Sequence, residues 1–358
     1  MNWLTIIILV FSVVGGVDKV LGNRFGVGKE FEKAFGFLGP MALSMIGMIV
    51  IAPAIAMAME PVSKMFSNVL HIDASVIPAC LFANDMGGAS LCVEMASNDK
   101  IGLYNALVVS SMMGCTISFT IPFSLGMVNK SQHEELLLGL LCGIVTIPVG
   151  CFASGILCGV PFASLIKVLM PLIVFSSIIA FGLISFPEIC TKIFKVFGVF
   201  ITVLITIGLV LGIIKFLTGI EIIKGISTIE EGASICVNAA IVLSGSFPFM
   251  YVLSRVLEKP LKVVSKKFEI NEHSVVGIFS CLATSATTFG LMNKMDKKGV
   301  VLNSAFAVSG AFVVGSHLAF TIAFDITYVA PVIMGKLIAG ISALFLANII
   351  YSRNLKKL

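Results

Sequence analysis

The sequence predicts an all-α polytopic membrane protein built as two inverted five-segment repeats, with about nine full spans and two broken re-entrant hairpins among eleven apolar segments. Three observations carry that prediction. Of 358 residues, 58% are hydrophobic and only 12% charged, against roughly a quarter charged in an ordinary soluble domain. Short anchor sequences recur about two hundred residues apart. The lysines and arginines fall on one side of a membrane only if two of the segments turn back on themselves. With a mean hydropathy of +1.08 the solvent is lipid, which excludes a soluble enzyme.

Runs of about twenty apolar residues, the length that crosses a hydrocarbon core, lie near 3–22, 38–60, 74–95, 101–127, 135–158, 162–186, 193–217, 233–256, 274–293, 299–324 and 326–350. The first has neither a basic flank nor an A-x-A site, so it reads as a span rather than a cleaved signal peptide. Connections are short and polar, and the longest charged stretch runs only from Arg255 to Glu272. We therefore expect a single transmembrane transport domain over 1–358, with repeat 1 at 1–158, a linking helix at 159–192 and repeat 2 at 193–358. Nine scattered cysteines without a C-x-x-C pair suggest neither a disulfide framework nor a zinc site.

The repeat rests on four anchors in common order. Pro53 matches Pro248, and Ser63-Lys64-Met65-Phe66 matches Ser265-Lys266-Lys267-Phe268. Asp99-Lys100-Ile101-Gly102 matches Asp296-Lys297-Lys298-Gly299, after which Asn105 and Ser111 match Asn303 and Ser309. If every segment spans, the loop cations divide 9 against 12. If 74–95 and 274–293 are hairpins, seventeen gather on one side and only Lys64, Lys100, Lys215 and Lys224 on the other. The positive-inside rule favours the second arrangement, which puts the N-terminus outside, the C-terminus inside and the repeats in opposite orientations. Inverted repeats with broken elements at the midplane are the architecture of secondary transporters. A homo-oligomer is compatible with it, since moving hairpins work against a fixed scaffold.

Both hairpins carry polar centres. The first reads LFANDMGGASL (Leu81 to Leu91) and the second ATSATTFGL (Ala283 to Leu291). Asp85 is the one acid at the middle of a segment, where a charge costs about 2.5 to 3.5 kcal/mol on insertion scales. It suits a counter-ion for a cationic substrate or a proton carrier; alternatively it holds the turn through its own backbone. Asn84, Gly87 and Gly88 beside it permit close substrate approach. Thr284, Ser285, Thr287 and Thr288 are candidate ligands at the second tip, although such hydroxyls often bond only their own helix. His317, deep in its segment, is a candidate for a substrate hydroxyl or a proton relay, and equally a satisfied core histidine. Asn105 and Asn303 face either the substrate path or a neighbouring helix. Lys167 and Lys336 read as snorkelling or ion-paired cations, and Asp18 and Glu94 as solvated near segment ends. No ATP-binding loop, hydrolase or metalloprotease motif, metal-ligand spacing, cofactor site or nucleic-acid patch occurs, so no catalytic residue is assigned.

Several of these stretches resemble the bacterial ethanolamine utilisation permeases, the EutH family. They are Asp85-Met86-Gly87-Gly88, GIVTIPVGC (Gly143 to Cys151), Glu258-Lys259-Pro260-Leu261, NSAFAVSGAFVVGSHLAF (Asn303 to Phe320) and MGKLIAG (Met334 to Gly340), and the similarity spans almost the whole chain. The resemblance implies a bacterial cytoplasmic-membrane permease that takes ethanolamine into the cytoplasm, with membrane lipid as its surroundings. Another small amine or amino compound is the alternative substrate; an enzyme acting on a lipid head group would need a nucleophile or metal set that the chain lacks. An amine with a pKa near that of lysine leaves roughly one molecule in a thousand uncharged at pH 7, and tenfold fewer per unit of acidification. Unaided diffusion then fails in acid. Four heavy atoms allow at best about −6 kcal/mol, a Kd of tens of micromolar, most of which an ammonium–carboxylate contact must supply.

Overall fold

Lipid offers the backbone no hydrogen-bond partners, so an apolar chain satisfies its amides within helices. The described residues, 3–69 and 71–355 of a computed structural model, are helical almost throughout. Met1, Asn2, Lys356 and Lys357 lie outside them, as do the side chains of 257–268, which carry the second Ser-Lys anchor. The chain opens with α1 (Trp3–Val20), α2 (Val27–Gly36), α3 (Leu38–Ala58) and α4 (Glu60–Val69). Next come α5 (Val76–Leu81), a tight turn at Asn84–Met86 and α6 (Gly88–Met95). The helix α7 (Asp99–Tyr104) continues through wide π turns at Asn105–Gly114 and Thr116–Thr120 into α8 (Ile121–Met127). Three long helices follow, α9 (His133–Leu157), α10 (Phe162–Ser185) and α11 (Pro187–Thr218). The remainder is α12 (Ile229–Phe268), α13 (Glu272–Ala283), α14 (Ser285–Leu291), α15 (Lys297–Ser309), α16 (Ser316–Phe324) and α17 (Val329–Leu355).

Among the described residues seven stretches are long and apolar enough to cross a membrane, including Val27–Ala58, Asp99–Met127 and Lys130–Leu157. On α10 and α11 large apolar residues such as Ile178, Phe181, Ile184 and Val196 point outward, the reverse of a soluble surface. The interior instead uses small residues for close approach: a Cβ on Gly47 would strike the backbone of Ile205, and one on Gly208 the backbone of Gly47, so α3 and α11 touch main chain to main chain.

One segment departs from the expected span. The run 299–324 is cut, because α15 stops at Ser309 and α16 starts at Ser316. The backbone between them pairs with the end of α13, Phe312 N donating to Cys281 O (3.0 Å) and Val314 N to Leu282 O (2.9 Å). Phe312 takes a positive φ of 62°, a conformation a bulky residue adopts only when its surroundings impose it. Asp18 also differs from the solvated position expected of it: it is buried, its Oδ2 accepting from Gly28 N (2.7 Å) and its Oδ1 from Phe25 N (3.0 Å), so it closes the turn into α2.

The two polar-centred segments each close on themselves. Asp73 accepts from Ser75 N and from Ser97 N, both at 3.0 Å, so the stretch 73–97 begins and ends at one place. In the second, Asn271 N donates to Asp296 Oδ1 (2.9 Å) and Asn271 Nδ2 to Lys294 O (2.8 Å), which does the same for 271–296. The contacts that tie the two ends to α9 fall 16 residues apart on it, about 24 Å at 1.5 Å per residue. Near its start Glu135 pairs with Lys297 (3.1 Å), and near its far end Cys151 O accepts from the hydroxyl of Tyr104 (2.7 Å). We expect Asp296→Ala to lower stability by about 1.5 to 3 kcal/mol, since it strips a charged acceptor from both Asn271 N and Ser274 Oγ. Thermal unfolding in detergent checks this; an unmoved midpoint would mean that Asp296 does not hold the closure.

Candidate functional site

The site is built where the helix α5–α6 is interrupted. Extended backbone at Phe82 and Ala83 ends α5, and the turn Asn84–Met86 leads through Gly87 into α6. Gly87 has φ +89°, and a Cβ there would overlap the buried side chain of Met48, so the reversal requires glycine twice over. A Cβ on Gly88 would strike Ser110 Oγ and Phe82 O. The wide turns of 105–120 grip this tip: Ser110 Oγ donates to Phe82 O, and Ala83 N donates to Ser118 Oγ (3.1 Å).

At the tip, Asp85 Oδ1 lies 3.7 Å from His317 Nε2, with the Ser316 hydroxyl also facing the carboxylate. Its side chain keeps 18% exposure, whereas His317 is shut in at 2%. The break between α15 and α16 supplies this histidine by placing it in the first turn of α16, with the Phe312 ring 4.8 Å away from its own. Behind the imidazole sits Lys336 of α17, only 1% exposed, whose Nζ donates to His317 Nδ1 (3.2 Å) and to Ser111 O (2.7 Å). When Lys336 is an ammonium it donates to Nδ1, and the neutral ring then carries its hydrogen on Nε2, toward Asp85. Carboxylate, imidazole and ammonium thus stand in line. From sequence alone Lys336 reads as a snorkelling or ion-paired cation. What distinguishes it is burial against Ser111 and His317, which come from elements distant in the chain.

Asn84 is wholly buried, and neither its Oδ1 nor its Nδ2 finds a hydrogen-bond partner. Leaving a buried polar group unpaired costs about 1 to 3 kcal/mol, so such an amide beside a carboxylate is a candidate ligand contact. The second tip is divided. Ser285 Oγ is likewise buried and unpartnered, and Thr287 lines a cavity of about 460 Å³ with Glu30, Lys33 and Arg255. Thr284 caps α14 by accepting from Ala286 N (3.3 Å), and Thr288 donates to Gly277 O (2.8 Å), so both are engaged within their own segment. Asn105 Nδ2 donates to Ser75 Oγ and Asn303 Nδ2 to Ser274 O, each at 2.8 Å. The two amides pin corresponding positions at the bases of the closed segments. The structure therefore brings Asn84, Asp85, Gly87, Gly88 and His317 together, and engages Asn303, Thr284 and Thr288 with backbone and Asn105 with the Ser75 hydroxyl.

A second cavity, of about 630 Å³, is lined by Ser90, Glu94, Glu230, Glu231 and Phe324. It opens near the start of α12, whereas the cavity of Thr287 reaches Arg255, some 37 Å further along the same helix by its rise. Neither cavity includes Asp85.

Comparison with known proteins agrees with this picture of a multi-pass membrane protein. A probable ethanolamine permease EutH of Listeria monocytogenes is 39% identical over 98% of this chain and 94% of its own length. The proteins of the same name from Salmonella typhimurium and Escherichia coli are 35% and 36% identical over 97% and 95% of this chain, and 95% and 93% of theirs. No solved structure matches. The family model of the ethanolamine utilisation protein EutH covers residues 1–350, and the chain belongs to that family.

Proposed function

We propose that this protein is a permease, not an enzyme, that carries ethanolamine as its protonated amino alcohol into the cytoplasm. The observation that carries the reading is the buried, unpartnered amide of Asn84 next to Asp85 in the interrupted helix. Asp85 takes the ammonium, and Asn84 and His317 Nε2 are placed for the hydroxyl. The names of the relatives favour ethanolamine as substrate. In this reading 73–97 and 271–296 are re-entrant hairpins entering from opposite faces, nine segments cross, and the halves form one transport domain inverted about the membrane plane. The closures at the two ends of α9, pinned by Asn105 and Asn303, support that arrangement. With the N-terminus outside, the mouth at Glu94, Glu230 and Glu231 faces outward, where clustered carboxylates concentrate cations. The cavity at Thr284 and Thr287 is then the cytoplasmic exit.

Uptake of labelled ethanolamine into vesicles tests the proposal. Unlabelled ethanolamine should compete and ethanol, which lacks the charge, should not. Competition only by a different amine would transfer the site to that amine. The variant Asn84→Leu should raise KM about tenfold, by the loss of one hydrogen-bonding partner, without lowering thermal stability, because no internal bond is broken. A drop in stability with unchanged KM would make Asn84 structural.

A further inference from the structure

The line of Asp85, His317 and Lys336 raises a question of charge that the ammonium site alone does not answer. With Asp85 ionised and Lys336 protonated, the site is neutral before any substrate arrives. A second ammonium on Asp85 would place two cations against one carboxylate in surroundings from which water is largely excluded, where Coulomb repulsion is weakly screened. The groups turned toward Lys336 are the thiols of Cys115, Cys151 and Cys281, the Ser111 carbonyl, His317 and Asp85; none except Asp85 brings a negative charge. Lys336 is too deeply buried to carry its charge to water by moving its head group alone.

What it can do is hand over a proton. Its Nζ already donates to His317 Nδ1, and the opposite ring nitrogen faces Asp85. We propose that His317 and Lys336 form an internal proton exchanger, so that each substrate ammonium settling on Asp85 is matched by one proton leaving Lys336 through His317, and transport is electroneutral. The inference rests on the reading of Asp85 as the ammonium site. In the step, an N–H bond of Lys336 breaks and an N–H bond forms at Nδ1, while the Nε2–H bond breaks and its proton passes to water at the partly exposed face of Asp85, whose carboxylate stays ionised for the substrate. The ring ends neutral, Lys336 ends as an amine, and the substrate cation takes over the carboxylate. Release of the amine reverses the sequence. Lys336 thus stands in for the substrate in the empty carrier.

Two measurements on the purified full-length protein decide the matter. Calorimetric titration with ethanolamine in buffers of different ionisation enthalpy should show about one proton released per molecule bound, with affinity rising about tenfold per pH unit around neutrality. In proteoliposomes, uptake should be indifferent to an imposed potassium–valinomycin potential. Lys336→Met should release no proton and make uptake follow that potential, and His317→Gln should slow exchange at least tenfold. Binding without proton release, or wild-type uptake driven by the potential, overturns the exchanger and leaves the ammonium site standing. Absence of ethanolamine binding overturns both. If Lys336→Met does not fold, the two wild-type measurements are decisive alone.

Discussion

Replacing Asp85 by asparagine is expected to reduce ethanolamine uptake at sub-saturating concentration at least thirtyfold, with little change in the amount of folded protein. The substitution keeps the shape and turn-forming capacity of the side chain and removes only its charge. Loss of one member of a buried charge pair costs about 2 to 5 kcal/mol, and the lower end of that range is already about thirtyfold. It also leaves Lys336 without its counter-charge, so Asp85→Asn combined with Lys336→Met should recover whatever thermal stability the single change loses, while uptake stays low. This contrast separates the two readings of the residue. An aspartate that merely shapes the hairpin tip would pass Asp85→Asn with uptake intact.

Gly87→Ala should be the most disruptive small substitution at the site. A residue other than glycine at φ +89° bears about 1 to 2 kcal/mol of backbone strain, and the new methyl group meets Met48, which is fully buried and has no room to retreat. Together these should cost about 3 kcal/mol or more, visible as a lowered midpoint of thermal unfolding in detergent and as lost uptake. Shortening the obstacle in the double variant Gly87→Ala, Met48→Ala removes the overlap but not the strain. Relative to Met48→Ala alone, the remaining penalty should fall to about 1 to 2 kcal/mol. An equal penalty in both backgrounds would show that Met48 is not what the glycine accommodates.

Some of this site could be read along the chain and some could not. Asp85 was legible because a carboxylate amid twenty apolar residues is conspicuous on any hydropathy scale, and the Asn-Asp-Met-Gly-Gly run announced a break in the helix. Ser285 and Thr288 look alike in sequence, yet one hydroxyl is unpartnered and the other satisfies the Gly277 carbonyl. The cut between α15 and α16 was hidden for a different reason. Gly310 and Gly315 are common in membrane helices, and the pairing of Phe312 and Val314 with Cys281 and Leu282 appears only once α13 lies alongside. Asp18 was misplaced because nearness to a segment end does not tell whether the following loop folds back over it, as Phe25 and Gly28 do.

By itself the sequence determined the apolar surroundings, the helical class, the two polar-centred segments and the single acid at the middle of an apolar segment. These are local matters, since lipid charges its penalty residue by residue wherever a polar group is placed. Only the tertiary structure decided what answers that acid. His317 stands 232 positions from Asp85 along the chain, and Lys336 reaches a carbonyl 225 positions away. A buried charge is compensated by whichever group the packing brings within a few ångströms of it, and no spacing in the sequence records that approach.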